Sequence, residues 1–213
     1  MHETERRWRD HYDRIARRYD WREWVWSLLW GISDRKERRK LVGRLELKPG
    51  QRVLEVSVGT GSNLPLAAEA VGPTGRLVGL DISIGMLRQC QRKIARHGLS
   101  SDLIEGEAAQ LPLADNAFDA VLHFGAISYF SDQDKKMAID EMVRVARAGA
   151  RIVVADVGQH PDKRRSLPSR LRLWVNPRHA DRPPMGLLPT NAKELNLTWF
   201  RRDTCYLIDF VKS

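Results

Sequence analysis

Cysteine and long apolar runs are scarce in this chain of 213 residues. The two cysteines, Cys90 and Cys205, are far apart and belong to no CxxC or Cys/His cluster. This pattern argues against a disulfide framework and against a metal site, so we expect reduced thiols and a cytoplasmic protein. No apolar stretch approaches the roughly 20 residues that a membrane-spanning helix needs. Residues 1–24 are too highly charged for a signal peptide.

Positive charge is abundant but unevenly placed. The formal net charge is +9. Residues 1–44 hold 13 Lys and Arg against 8 Asp and Glu, residues 159–182 hold 7 against 2, and the rest of the chain is close to neutral. Localised positive charge predicts an anionic partner, such as a phospholipid surface, a nucleic acid or a phosphorylated substrate.

Strand and helix patterns alternate through the middle of the chain, which predicts βαβ units and a parallel sheet. The predicted fold is α/β, with a doubly wound, seven-stranded, mostly parallel sheet that has an antiparallel edge strand. We divide the chain into an N-terminal amphipathic helical segment or lid (residues 1–44, broken at Gly31) and one domain (residues 45–213). Within that domain, residues 158–190 are a proline- and arginine-rich insertion on the substrate side. The predicted strands are Arg52–Ser57, Arg76–Asp81, Asp102–Gly106, Phe118–Phe124, Arg151–Asp156, 198–203 and 205–212, and the predicted helices are Asn63–Ala70, Ile84–Arg96 and Gln133–Ala148.

A glycine-rich turn follows the first predicted strand, where residues 53–61 read VLEVSVGTG. Glycine lets a backbone approach a ligand closely, and the start of the next helix offers free N–H groups to an anion. A dinucleotide site requires a third glycine where this chain has Leu64, which argues against NAD.

The turn resembles motif I of class I S-adenosylmethionine-dependent methyltransferases, with Glu55 before positions occupied by Ser57, Gly59 and Gly61. Three further matches follow in the expected order, so that the resemblance covers about residues 45–157. They are Asp81, the Gly106-Glu107-Ala108 step, and Glu141-x-x-Arg144-Val145 before the fifth strand.

This resemblance implies a Rossmann-like fold and S-adenosylmethionine as methyl donor, with S-adenosylhomocysteine as product and no metal. It also implies that Asp81 accepts hydrogen bonds from both ribose hydroxyls and that Glu107 faces the adenine amino group. The cofactor-binding residues that we predict are Glu55, Ser57, Gly59, Gly61, Asn63, Asp81, Ile82, Met86, Glu107, Ala108 and His123.

Five of the seven tryptophans lie in residues 8–30, interleaved with arginines. On a helix, Trp21, Trp24, Val25 and Leu28 fall on one face. Tryptophan with arginine is typical of a helix that lies in a membrane interface. The alternative is a helix packed over the cofactor, with buried tryptophans. We expect a monomer that associates peripherally with an anionic membrane through this helix.

Residues 12–20, YDRIARRYD, resemble the N-terminal segment of quinone C-methyltransferases and of bacterial phospholipid N-methyltransferases, and residues 58–65 also resemble the latter. Both families act on lipids, and the resemblance places Tyr19 near the methyl donor with Tyr12 beside it.

Three functions follow as hypotheses. The first is N-methylation of phosphatidylethanolamine and its methylated forms, in which Tyr12, Tyr19 and Tyr129 hold the cationic amine and His123 takes its proton. Arginines of the insertion then bind the phosphate, and their positive charge favours this hypothesis. The second is C-methylation of a quinone precursor, which needs no phosphate site. The third is a nucleic-acid-binding module, which the lack of a recognisable RNA-binding motif disfavours. The catalytic candidates are Tyr19, His123 and Tyr129, and the substrate-binding candidates are Tyr12, Tyr19, Tyr129, Arg178 and His179.

Overall fold

The structure is a computed structural model that describes residues 3–29, 31–158, 160–161 and 182–213. Two helices open the chain, α1 (Glu3–Leu29) and α2 (Asp34–Gly43). They are separated near Gly31, whose φ is +57°. Ser33 caps α2, since its side chain accepts from the backbone N–H of Lys36. Although α1 spans 27 residues, no helix within the described ranges combines the length and apolar character needed to cross a bilayer.

Strands and helices then alternate as predicted. The elements are β1 (Arg52–Val56), α3 (Leu64–Val71), β2 (Arg76–Asp81), α4 (Ile84–Arg96), β3 (Asp102–Glu105), β4 (Phe118–Phe124), α5 (Asp132–Val145), β5 (Ala146–Val157), β6 (Lys193–Phe200) and β7 (Cys205–Val211).

One seven-stranded sheet has the order β3-β2-β1-β4-β5-β7-β6. The first five strands in this order are parallel, and β7 is antiparallel to both β5 and β6. The antiparallel strand therefore lies one place in from the edge, and the edge strand β6 runs in the direction of β5. The chain places β2 and β3 on one side of β1 and then returns to place β4 on the other side, so the strand order switches between β1 and β4. In open α/β sheets, ligands bind at such a switch point, outside the carboxyl ends of the strands.

Both faces of the sheet are buried. In β5, Ile152 and Val154 join an apolar cluster with α5, whereas Val153 joins a second cluster with α2, α3 and α4. Successive side chains of a strand point to opposite faces, so a strand covered on both sides must be apolar at every position. This requirement explains the continuous apolar run in the sequence of β5.

Three predicted elements differ from the structure by three residues or more. The predicted strand Arg151–Asp156 is Ala146–Val157. The predicted strand 198–203 is Lys193–Phe200, because Arg201, Arg202 and Asp203 have φ of +49°, +56° and +62° and form a turn before β7. The predicted helix Gln133–Ala148 ends at Val145, because Ala146 already pairs with Phe118 of β4.

Candidate functional site

Two adjoining cavities of about 450 and 440 Å³ lie at the carboxyl ends of β1, β2 and β4, beneath α1. The first is lined by Asp81, Ile82, Met86, Glu107 and Ala108. The second is lined by Glu55 and Asn63, among others. Both cavities are lined by a shared set of residues, which we call the junction: Trp8, Tyr12, Tyr19, Ser57, Gly59, Phe124, Gly125, Ala126 and Tyr129.

Asp81 ends β2 and is buried at the wall of the first cavity. Its carboxylate accepts from the backbone N–H groups of Gly59 at 2.8 Å and Ser83 at 2.9 Å. A carboxylate has about four acceptor positions, so two such bonds leave capacity for a pair of hydroxyl donors. This geometry fits the ribose-binding role that the resemblance implies.

Three positions of the glycine-rich turn have left-handed backbones, with φ of +56° at Ser57, +55° at Gly59 and +74° at Gly61. Left-handed conformations favour glycine, so Ser57 occupies a position where the family's glycine is the unstrained residue. Ser57 and Gly59 line the cavities. Gly61 has a different role, because a Cβ atom there would lie 2.4 Å from Cys90 Sγ. It permits close packing between the turn and α4.

Glu55 is a buried carboxylate at the wall of the second cavity. Asn63 donates its Nδ2 to Glu55 Oε1 at 2.6 Å, and Arg38 donates to Asn63 Oδ1 at 2.9 Å. Burial raises the pKa of Glu55 to about 7, and burial likewise raises the pKa of Asp81 to about 6. Each of the two adjoining cavities therefore has a buried carboxylate in its wall, and the donor expected here is cationic.

These two carboxylates predict how stability depends on pH. Their folded-state pKa values lie above the ordinary ones, so the folded chain binds more protons than the unfolded chain between about pH 4 and pH 7. Their contribution to the free energy of unfolding then decreases as pH rises through this window. We expect the melting temperature of the unliganded protein to fall less on going from pH 5 to pH 7.5 in the Glu55→Gln/Asp81→Asn variant than in the wild type. Identical profiles, measured by thermal unfolding, would contradict this expectation.

Aromatic side chains form the wall of the junction beneath α1. The Trp8 and Tyr129 rings are in tilted contact with centroids 4.2 Å apart, and Tyr12 and Tyr19 lie edge to face at 6.4 Å. Burial raises the pKa of both Tyr12 and Tyr19 above its ordinary value, so both phenols are neutral at pH 7. The structure thus brings together Tyr12, Tyr19 and Tyr129, as the sequence predicted, and adds Trp8.

His123 does not line either cavity. It is fully buried in β4, its Nδ1 lies 3.2 Å from the carbonyl oxygen of Val56, and burial lowers its pKa to about 4. Because this side chain is fully buried and lines neither cavity, the structure gives no support to the cofactor-binding and catalytic roles predicted for it. Arg178 and His179 lie outside the described residues, as does most of the insertion.

Sequence reasoning missed two arginines that line the second cavity, Arg38 and Arg201. Their guanidinium groups lie 5.4 and 5.2 Å from the centre of the Phe124 ring, and both pair with Asp34. Cations here are suited to the carboxylate at the methionyl end of the donor. Nothing in the sequence distinguishes Arg38 from the basic residues around it. Asp156, another missed residue of this cavity, accepts from the Ser128 backbone N–H at 2.8 Å.

Comparisons with known proteins agree with this geometry. Residues 53–149 match the family described as "Methyltransferase domain". The demethylmenaquinone methyltransferase of Desulfitobacterium hafniense (strain Y51) is 33% identical over 153 residues, covering 70% of this chain and 58% of that protein. The enzyme of the same name from Renibacterium salmoninarum is 38% identical over 151 residues, with the same two coverages. The chain thus spans about three fifths of the length of these curated relatives.

Solved structures share the fold. An S-adenosylmethionine-dependent methyltransferase from Aquifex aeolicus has a TM-score of 0.63 at 20% identity and covers 83% of this chain and 90% of its own. Phosphoethanolamine N-methyltransferase 2 of Haemonchus contortus, solved with S-adenosylmethionine, has a TM-score of 0.65 at 14% identity and covers 83% of this chain and 52% of its own. Residues 53–149 thus form a domain of the class I S-adenosylmethionine-dependent methyltransferases, and the solved structures share its fold.

Proposed function

We propose that this protein methylates a ring carbon of a membrane-borne quinone precursor, with S-adenosylmethionine as donor. The observation that carries the proposal is the aromatic wall at the junction, formed by Trp8, Tyr12, Tyr19, Phe124 and Tyr129. Such a wall is suited to stacking a flat aromatic ring. The relatives named demethylmenaquinone methyltransferase support the same substrate class.

The chemistry is a direct displacement, with the acceptor held in line with the sulfonium methyl group. We assign Asp156 as the base that takes a hydroxyl proton from the reduced, hydroquinone form of the ring. The ring carbon then bonds to the methyl carbon as the carbon–sulfur bond breaks, and S-adenosylhomocysteine leaves. Loss of the proton on the methylated carbon restores the aromatic ring as a phenolate, which takes back the proton held by Asp156, so the reaction releases one proton in total.

Phosphatidylethanolamine is the second candidate acceptor. Glu23, Glu55 and Asp156 line the same cavity as the tyrosine rings. Carboxylates together with aromatic faces bind an ammonium group well. The arginines that the sequence predicted to bind its phosphate lie largely outside the described residues.

The test is transfer of radiolabelled methyl from S-adenosylmethionine to vesicles that contain both phosphatidylethanolamine and a reduced, demethylated menaquinone. The lipids are extracted and separated by class. We expect label in the quinone fraction and none with the Asp156→Asn variant. Label in phosphatidylethanolamine would instead establish the second candidate. Label in neither, with donor binding intact, would overturn both.

Membrane association through α1 belongs to the same proposal. Trp21, Trp24, Leu28 and Leu29 of α1 are 60–66% exposed, and Arg14, Arg17, Arg18 and Arg22 of the same helix are also exposed. Exposed tryptophan and leucine beside arginine suit an interface of anionic lipid.

Replacing Trp21 and Trp24 together by glutamate is expected to weaken binding to anionic vesicles by at least about tenfold, or about 1.4 kcal/mol. The change removes apolar contact and adds charge of the wrong sign. Vesicle sedimentation measures the effect. The matched control is Leu195→Glu/Leu197→Glu, which changes two exposed apolar residues of β6. Equal binding of the two variants to anionic vesicles would show that the membrane contact is not on α1.

A further inference from the structure

Helix α1 is fastened to the methyltransferase domain by two carboxylates, Asp13 and Asp20. They are seven residues apart, about two helical turns, so they project from one face of the helix. Between them on the same side lies Ala16, which is only 3% exposed. Each carboxylate contacts a different loop at the carboxyl edge of the sheet.

Asp13 contacts the loop between β2 and α4 and the first turn of α4. Its Oδ1 accepts from Ser83 Oγ at 2.6 Å and from the Gly85 backbone N–H at 2.7 Å. A Cβ atom at Gly85 would lie 2.8 Å from Asp13 Oδ1 and 3.0 Å from Asp13 Cα. Glycine at this position therefore lets the backbone of α1 approach the start of α4.

Asp20 contacts the glycine-rich turn. Thr60 donates its hydroxyl to Asp20 Oδ1 at 2.6 Å, and Lys93 Nζ lies 2.8 Å from Asp20 Oδ2. Lys93 also donates to Ser62 Oγ at 2.7 Å and to Thr60 Oγ1 at 3.1 Å. One lysine of α4 thus holds the helix and the turn together.

Both loops belong to the donor site. Ser83 donates its N–H to Asp81, and Thr60 stands between Gly59 and Gly61. The same stretch of α1 carries Tyr12 and Tyr19 over the junction. We propose that Asp13 and Asp20 are positioning residues. They hold α1 against the two loops, so that docking of α1 is coupled to binding of the donor.

The coupling has a direct consequence for binding. Because docking of α1 organises the two loops, loss of either carboxylate weakens the binding of the donor and of its product. In return, a bound ligand stabilises the docked position of the helix. This inference does not depend on the identity of the acceptor, so it stands or falls separately from the proposed quinone substrate.

Calorimetry with S-adenosylhomocysteine provides the test. We expect Asp13→Ala and Asp20→Ala each to weaken binding by about tenfold, within the usual range for coupled sites. Asp13→Asn keeps an acceptor for Ser83 and Gly85, so it should restore most of the affinity. The matched control is Asp10→Ala, since Asp10 is exposed on the same helix and pairs with its neighbour Arg9 at 3.4 Å.

Hydrogen exchange distinguishes positioning from a merely structural role. In the wild type, S-adenosylhomocysteine should slow amide exchange in residues 12–20, and this protection should be lost in Asp13→Ala/Asp20→Ala. Unchanged affinity and unchanged protection in these variants would overturn the proposal, even if their melting temperatures fell. If the double variant does not fold, Lys93→Ala takes its place. For this variant we expect smaller losses of both S-adenosylhomocysteine affinity and amide protection.

Discussion

Replacing Asp81 with alanine is expected to lower the affinity for S-adenosylmethionine by about 100-fold or more. Hydrogen bonds to a charged group contribute about 1.5–3 kcal/mol each, and the carboxylate is placed to accept two from the ribose. The variant also loses the acceptor for Gly59 and Ser83, so the loops that surround the donor are loosened as well. Isothermal titration calorimetry measures the change.

Two companion variants sharpen this experiment. Asp81→Asn keeps one oxygen acceptor and loses the charge, so its affinity should fall between those of the wild type and the alanine variant. Asp102→Ala changes an exposed carboxylate at the start of the neighbouring strand β3, and it should bind as the wild type does. Unchanged affinity in Asp81→Ala would mean that the donor binds elsewhere.

The second large effect is expected from Gly61→Ala. The new methyl group would lie 2.4 Å from Cys90 Sγ, on a backbone with φ of +74°. Overpacking costs about 1–3 kcal/mol and a strained backbone a similar amount. We therefore expect a loss of about 2–4 kcal/mol of stability, or roughly 5–15 °C in melting temperature, together with weaker donor binding.

Gly59→Ala separates the two causes. Gly59 has a φ of +55°, but no other atom lies within 4 Å of a Cβ built there, so only the backbone strain remains and the loss of stability should be smaller. Adding Cys90→Ala to Gly61→Ala should restore part of the lost stability, because it removes the contacting sulfur. Equal melting temperatures for Gly59→Ala and Gly61→Ala would show that packing against Cys90 is unimportant.

The donor half of the site was predictable from the sequence because its residues follow one another at fixed local spacings. The strand, the glycine-rich turn and the start of the next helix are contiguous, so local backbone geometry already implies the role of Gly59. Asp81 was predictable for the same reason, since it ends the next strand. In a parallel sheet the carboxyl ends of neighbouring strands meet at one edge, which brings Asp81 within hydrogen-bonding distance of Gly59.

The residues that we propose to surround the acceptor were predicted less well. Tyr12, Tyr19 and Tyr129 were named correctly as neighbours, but only through resemblance and strand position. The roles predicted for His123 gain no support, because its side chain is buried in β4 and lines neither cavity. Here its ring contacts the Val56 carbonyl instead of the cavity. Arg38 and Arg201 are 163 positions apart in the chain, and no spacing rule joins them.

By itself, the sequence determined the strand–helix alternation, the family and the methyl donor, because periodicity and short motifs are local properties of the chain. Only the tertiary structure decided which faces of α1 contact the domain and which remain exposed. Its inner face pairs Asp13 and Asp20 with loops 40 to 72 positions away, while Trp21 and Trp24 stay in solvent. An amphipathic pattern identifies the faces of a helix but not their partners, which depend on where the folded chain places the rest of its surface.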